Sequence, residues 1–471
     1  MSILRSPAGR TRNEPEPIRP SASKPQATVM PLGERWTPEV LKISRLRDEA
    51  ESQLVTRIHA RLAASIGRSI DTASSESVRA LINDQFPAAL DEEKVSLSRT
   101  DRLRLQDAVL SEVIGYGPIQ DVLADDNVSE VMVNGAKQVW VEREGKLHLT
   151  DITFSDDDHV LRVIQRIVAP LGRRCDESSP MVDARLPDGS RVNAIIPPLS
   201  LIGPTLTIRK FRKVPYGPME LLKNGTLTTE ALQFLAASVK GRMNVVVAGG
   251  SGAGKTTFLN TLSNFISERE RIVTIEDAAE LQLQQLHVLT LESRPPNAEG
   301  RGEVAIRDLF RNALRMRPDR VIIGECRGPE ALDMLQAMNT GHDGSLTTIH
   351  ANGPRDALSR IETMVLMGGA DLPLRAIREQ IVAAIDLVVF VERMQDGTRK
   401  VTQVSEVRGL EGDVITMQDI FAIDTRNSAD RLRTDLRPTG IRPALTDRLA
   451  GRGIQLPSAW FGYAEPSEIG A

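Results

Sequence analysis

Residues 249–256 read Gly-Gly-Ser-Gly-Ala-Gly-Lys-Thr, which fits the spacing G-x-x-x-x-G-K-[ST] at every constrained position. The octet begins where the apolar run 244–248 ends, and it leads into a helical pattern over 257–266. A glycine-rich turn between a strand and a helix aims several backbone N–H groups, and the positive end of the helix dipole, at one point that suits an anion. Gly249, Gly250, Ser251, Gly252, Ala253, Gly254 and Thr257 are therefore candidate nucleotide-binding positions. In that setting Lys255 reaches the β- and γ-phosphates and Thr256 is the candidate Mg²⁺ ligand.

Such a loop needs a buried sheet behind it, and the flanking pattern supplies one. After Gly225, the apolar runs 244–248, 271–275, 321–323 and 345–349 alternate with helical patterns, an order that implies a mostly parallel sheet covered by helices. Runs 385–392 and 400–407 flank Asp396-Gly397 and read as an antiparallel pair. Residues past the carboxyl ends of parallel strands collect on one edge of the sheet. Glu276 and Asp277 follow one run, Glu325 follows another, and His350 sits at the exit of a third. Glu276, Glu325 and His350 are thus the candidate catalytic residues, with Glu325 the metal-side carboxylate, directly or through water. His342 and His350 flank one strand but have no cysteine or third histidine to complete a metal site.

Upstream the texture differs. Residues 1–35 hold six prolines among Ser, Arg and Glu, a composition expected to stay disordered. Residues 36–114 show helical spacing, clearest at Leu46, Leu54, Ile58, Leu62 and Ile66, and read as a small helical bundle. Residues 115–215 alternate or run apolar at 128–133, 138–142 and 146–154, separated by Asn134-Gly135 and Glu144-Gly145, dipeptides that favour tight hairpin turns. Ser155 and Asp158 resemble a capping box opening a helix whose stripe is Val160, Val163, Ile164, Ile167 and Val168. This is an α+β module, followed by a linker at 216–224, the α/β domain at 225–425 and a C-terminal extension at 426–471.

Composition narrows the partners. Lys and Arg total 59 against 63 Asp and Glu, for a formal net charge of −4, and aromatics are 3% of the chain; a nucleic-acid binder more often carries a basic excess with stacking aromatics. Two cysteines build neither a disulfide framework nor a tetracysteine metal site. The most apolar stretch, 381–391, is shorter than the roughly 20 residues that cross a bilayer and is broken by Asp386. A cytoplasmic protein that reaches the membrane only through partners is expected.

Four segments in order resemble the secretion ATPase superfamily that powers type II and type IV secretion and type IV pili: GGSGAGKTT (249–257), TIEDAAEL (274–281), RNALRMRPDRVIIGECRG (311–328) with its atypical Walker B end, and TGHDGSLTTIHAN (340–352). Residues 176–198, 203–211 and 406–421 are similar to the CpaF branch, the motor of tight-adherence (Tad/Flp) pili. The resemblance covers about residues 100–425. It implies a RecA-like ATPase domain preceded by a PAS-like α+β N-domain, ATP with Mg²⁺, and a homohexamer docked on inner-membrane pilus platform proteins. It also implies Glu276 as the water-activating base, with Glu325 a competitor, and His350 as a phosphate sensor. Arg191 and Arg209 fall in the N-domain and linker motifs where arginines approach nucleotide, and Arg294 and Arg301 are further candidates to act in trans. Two other readings share this loop: a type IV secretion ATPase for effector or DNA transfer, and a DNA translocase or recombinase. A nucleotide-binding ring that does not hydrolyse is the reading that the two carboxylate boxes disfavour.

Overall fold

A computed structural model of the chain describes residues 40–43, 49–66, 75–211, 216–296, 300–369, 371–423 and 436–461. The proline-rich leader at 1–35 and Leu46 lie outside the described residues. Strand β1 (Val40–Leu41) is followed by helices α1 (Glu49–Ile66), α2 (Ser75–Glu92) and α3 (Arg99–Val113). Leu54, Ile58 and Leu62 of α1 pack on Ile82 and Phe86 of α2 and on Leu105 and Val109 of α3, a small core of their own. The expected bundle begins differently, however. Val40 and Leu41 pair in parallel with a strand of the next module, because two residues at a sheet edge carry no helical period to read.

Helix α4 (Gln120–Ala124) leads into β2 (Val128–Asn134), β3 (Val139–Arg143) and β4 (Lys146–Thr150), then helix α5 (Asp157–Val168) and strands β5 (Met181–Arg185), β6 (Arg191–Ile195) and β7 (Thr205–Arg209). Seven strands form one sheet in the order β1-β4-β3-β2-β7-β6-β5, antiparallel apart from the β1–β4 pair. The β3–β4 turn is Glu144-Gly145 with φ of 50° and 76°, the left-handed pair that a two-residue hairpin requires. The full apolar stripe of α5 is buried against the sheet. Its cap is Asp156 and not Ser155: the Asp156 carboxylate accepts from His159 N at 2.7 Å, while the Ser155 hydroxyl lies 3.2 Å from the His159 ring.

The expected linker contains a helix, α6 (Pro218–Lys223), whose Leu221 is buried in the next core. Then come α7 (Thr229–Lys240), β8 (Val245–Gly249), α8 (Lys255–Ser263), β9 (Ile272–Glu276), β10 (Val288–Glu292), α9 (Ile306–Ala313), β11 (Arg320–Ile323), α10 (Glu330–Asn339), β12 (Leu346–His350), α11 (Pro354–Met367) and α12 (Leu374–Ala384). The chain continues through β13 (Leu387–Arg393), β14 (Arg399–Glu411), β15 (Val414–Ile423), β16 (Leu436–Pro438) and α13 (Leu445–Gly451). The sheet order is β10-β9-β11-β12-β8-β13-β14-β15-β16; the first six strands are parallel and the remaining pairings antiparallel.

Alternation places this sheet between two helical layers. Val245 and Val247 of β8 face a core with Phe234 of α7 and Leu259 of α8, while Val246 and Ala248 face a second core with Phe310 of α9 and Leu335 of α10. Both faces of the central strands are therefore dry, which is why their sequences run apolar without a break. Leu436, Leu445 and Leu449 join the first core, so the α/β domain extends beyond residue 425 into the expected C-terminal extension. Among the described residues, no helix is long and apolar enough to cross a membrane.

Candidate active site: a cleft at the carboxyl edge of the parallel strands

Parallel register brings the strand ends together. Gly249 at the end of β8 pairs with His350 at the end of β12, and Ile275 of β9 pairs with Ile323 of β11. Glu276, Gly324-Glu325, His350 and the loop after Gly249 therefore share one edge, where they line a cleft of about 300 Å³. Arg191, Arg209 and Phe211 line it from the N-domain side, and Tyr216, at the start of the linker, lines it as well. Gly254, at φ 92°, takes the left-handed conformation that turns the chain into α8.

Lys255 is only 7% exposed. Its ammonium donates to Gly250 O at 2.9 Å and lies 3.2 Å from His350 Nε2. The same imidazole nitrogen is 3.1 Å from Glu325 Oε1. Arg327 continues the chain of charges, 2.7 Å from the other Glu325 oxygen and 3.2 Å from Asp277. Burial lowers the Lys255 pKa, and burial together with the Lys255 charge lowers that of His350. Burial alone would raise Glu325, but the hydrogen bond from Arg327 and the charges of Arg327, His350 and Lys255 outweigh it and hold the carboxyl below its usual range.

Glu276 sits in a different environment. It is 3% exposed, and its Oε1 accepts from Glu280 N at 2.9 Å and from Leu281 N at 3.1 Å. Its Oε2 is buried with no hydrogen-bond partner. Burial pushes this carboxyl up to about 7, against the two backbone hydrogen bonds that lower it. A Cβ on Gly324 would lie 2.6 Å from Glu276 Cγ, so only glycine lets the end of β11 pass this side chain.

The N-domain grips the segment that follows Glu276. Arg191 donates to Ala278 O at 2.9 Å and lies 3.2 Å from the Glu280 carboxylate, and Arg185 pairs with Glu292 at 2.8 Å. Arg209 is 3.6 Å from Glu130 on its own sheet. Ser251, Gly252, Gly254, Lys255, Thr256 and Thr257 all line the cleft, whereas Ala253 is buried beneath the loop. Arg294 does not line it: its side chain donates to Gly302 O at 2.7 Å in an isolated bridge region. Arg301 is exposed and also outside the cleft. His342 lies before β12, at the opposite end of that strand from His350.

Arg327 is a site residue that the sequence pattern does not single out from the other arginines around these segments. Its position two residues after Glu325 was the available signal.

The family profile described as "Type II/IV secretion system protein" matches residues 112–436, and that of the "Type II secretion system protein E, N-terminal domain" matches residues 52–114. A putative conjugal transfer protein of Mycobacterium tuberculosis (strain CDC 1551 / Oshkosh) is 37% identical over 64% of this chain and 88% of its own length. The type IV secretion system protein PtlH of Bordetella pertussis is 34% identical over 60% of this chain and 91% of its own. The solved VirB11 ATPase of the Brucella suis type IV secretion system, in complex with sulphate, is 29% identical with a TM-score of 0.35, covering 60% of this chain and 90% of that one. With a family match over most of its length, the chain belongs to the type II/IV secretion system protein family, the secretion ATPases, and is an ATP-hydrolysing enzyme.

Proposed function

We propose that the chain is a homohexameric motor that hydrolyses ATP in this cleft and uses the energy to assemble a Tad/Flp-type pilus, with retraction as a further output. It would act at the cytoplasmic face of the inner membrane, attached through pilus platform proteins, with no nucleic-acid partner. The observation that carries the mechanical part is the grip of Arg191 and Arg185 on the residues following Glu276 and β9. A proton moved at Glu276 is thereby linked to the position of the N-domain. The resemblance of residues 176–198, 203–211 and 406–421 to the pilus branch supports the cargo.

In this reading the loop N–H groups and Lys255 hold the β- and γ-phosphates, and His350 reports the γ-phosphate to Glu325. Glu276 orients the attacking water and accepts its proton. Arg191 and Arg209 stabilise charge from the N-domain, and Arg294 and Arg301 are candidates to do so for a neighbouring subunit. Among the described residues, no group of three or more His, Cys, Asp or Glu side chains is arranged to hold a metal. That suits Mg²⁺, which binds through one or two protein oxygens with phosphates and waters; Thr256 would hold it directly and Glu325 through water. Bound there, Mg²⁺ neutralises charge developing on the phosphates.

A second reading, a type IV secretion ATPase, is favoured by the names of the relatives above. The test is a chromosomal Lys255→Ala variant of the source organism, with purified protein assayed for turnover against its own concentration. Loss of pilus filaments, with specific activity rising as rings assemble, supports the proposal. Intact pili with lost effector or DNA transfer moves the chain to the second reading, and full turnover in a dilute monomer refutes the shared hexameric site.

A further inference from the structure

The β13–β14 turn carries two arginines that belong to none of the four motif segments. Its shape is set locally: Met394 N donates to Thr398 O at 2.7 Å, and Asp396 accepts from the Thr398 hydroxyl at 2.6 Å. Arg399 leaves this turn toward the phosphate loop, where its Nε donates to Gly252 O at 3.0 Å. A Cβ on Gly254 would meet Arg399 Cδ at 3.0 Å, so the arginine stem lies against the loop. The far end of the guanidinium is 3.9 Å from Glu142 on β3 of the N-domain. Arg393 runs in parallel: it donates to Gly145 O in the β3–β4 turn, and its other terminal nitrogen would lie 3.7 Å from a Cβ on Gly252.

A phosphate uses the N–H side of the loop, whereas Arg399 binds a carbonyl. The Gly252 carbonyl and the Ala253 N–H belong to one peptide group; Ala253 N donates to Gly250 O at 3.4 Å, so the Arg399 bond on the oxygen and this turn bond on the nitrogen fix the plane of that peptide within the loop. The same guanidinium places a positive charge well within a Debye length of the loop. We propose that Arg399 is a positioning residue for nucleotide, holding the phosphate loop in its anion-binding form and tying it, through Glu142, to the N-domain. This rests on the reading of residues 249–256 as the phosphate site and deepens it.

The experiment titrates the full-length protein with fluorescent mant-ADP and Mg²⁺, and in parallel measures kcat and KM for ATP. It compares wild type, Arg399→Ala, Arg399→Lys, Glu142→Ala, the Arg399→Ala/Glu142→Ala double variant and Lys255→Ala. Arg399→Ala is expected to weaken mant-ADP binding roughly 3- to 10-fold, the net range of one ordinary hydrogen bond, since the half-exposed guanidinium acts on the nucleotide only through the loop, with kcat at saturating ATP near wild type. Arg399→Lys, which keeps charge without the planar fork, recovers part of the loss. The double variant is no weaker than Arg399→Ala, because one removal already severs the link.

Unchanged affinity in a folded Arg399→Ala protein, with binding lost in Lys255→Ala, overturns the role of Arg399 and leaves the phosphate site standing. Additive losses in the double variant overturn the tie through Glu142. A fall in kcat with unchanged affinity also overturns the proposal, since the residue then acts in the transition state. Wild-type protein that fails to bind mant-ADP refutes the underlying site instead. Should Arg399→Ala not fold, Arg399→Lys binding as tightly as wild type refutes the need for the fork.

Discussion

Replacing Glu276 by Gln tests the environment of the proposed base through stability as well as rate. The carboxyl is raised from 4.5 to about 7, first by burial, and Gln keeps its shape while never ionising. A folded-state pKa above the unfolded value means that the favourable contribution is complete below about 4.5, declines as pH rises toward about 7, and is absent above that. At 1.36 kcal/mol per unit, the wild type loses about 2 to 3 kcal/mol relative to the variant between pH 5 and pH 8. For a domain of this size that is a gap in Tm growing by roughly 5 to 10 °C across the range.

Scanning calorimetry of both proteins at pH 5, 6, 7 and 8, without nucleotide, reads that gap. Turnover provides the second arm. A base must be ionised to accept a proton, so wild-type kcat/KM for ATP is expected to rise with pH through about 7, and Glu276→Gln to lose about 100-fold or more in kcat. A Tm difference that is constant from pH 5 to pH 8 would refute the buried, uncompensated carboxylate. A variant that keeps wild-type turnover would refute its role as base.

Two further substitutions probe the support around the site. Gly324→Ala puts a methyl 2.6 Å from Glu276 Cγ; a stability loss of about 1 to 3 kcal/mol is expected in calorimetry, together with a fall in kcat and little change in KM for ATP. Glu406 is buried and accepts from Ala444 N at 3.0 Å and Leu445 N at 2.6 Å, at the start of α13. Glu406→Ala is expected to cost about 1 to 2 kcal/mol through lost capping, and limited proteolysis should then cut near α13 while nucleotide binding persists.

Much of the α/β domain was legible because its strands are buried on both faces. The expected runs 244–248, 271–275, 321–323 and 345–349 each fall within one residue of β8, β9, β11 and β12, and the parallel order then dictated where Glu276, Glu325 and His350 would meet. Strand β10 was not legible, since Val288–Glu292 lies at the sheet edge with half-buried and exposed residues alternating irregularly. Strand β16 and α13 were missed for a related reason: three residues and seven residues, respectively, hold too little periodicity, and what places them is distant in sequence, pairing with β15 for β16 and the Glu406 carboxylate with the first core for α13. The same limit applies to Arg399. Arginine spacing carries no period, so only the folded chain distinguishes a guanidinium on the phosphate loop from one in solvent.

The residues alone left open which carboxylate is the base, and the two environments bear on that choice. Two acids at one strand edge take different roles when their surroundings push their pKa values apart. Glu325 has a cation or a ring nitrogen on each oxygen, Arg327 at 2.7 Å and His350 at 3.1 Å, and it stays ionised, as a carboxylate serving a metal must. Glu276 has two amides on one oxygen, nothing on the other, and a pKa of about 7. An orphaned buried carboxylate oxygen costs stability unless some later partner satisfies it, and a water held for attack on the γ-phosphate is a partner of the right chemistry. Closure of the N-domain through Arg191 would bear on the same loop whose amides occupy the first oxygen. On the proposed motor reading, the basicity of Glu276 and the position of the N-domain would then depend on one set of contacts, which is what coupling of hydrolysis to movement requires.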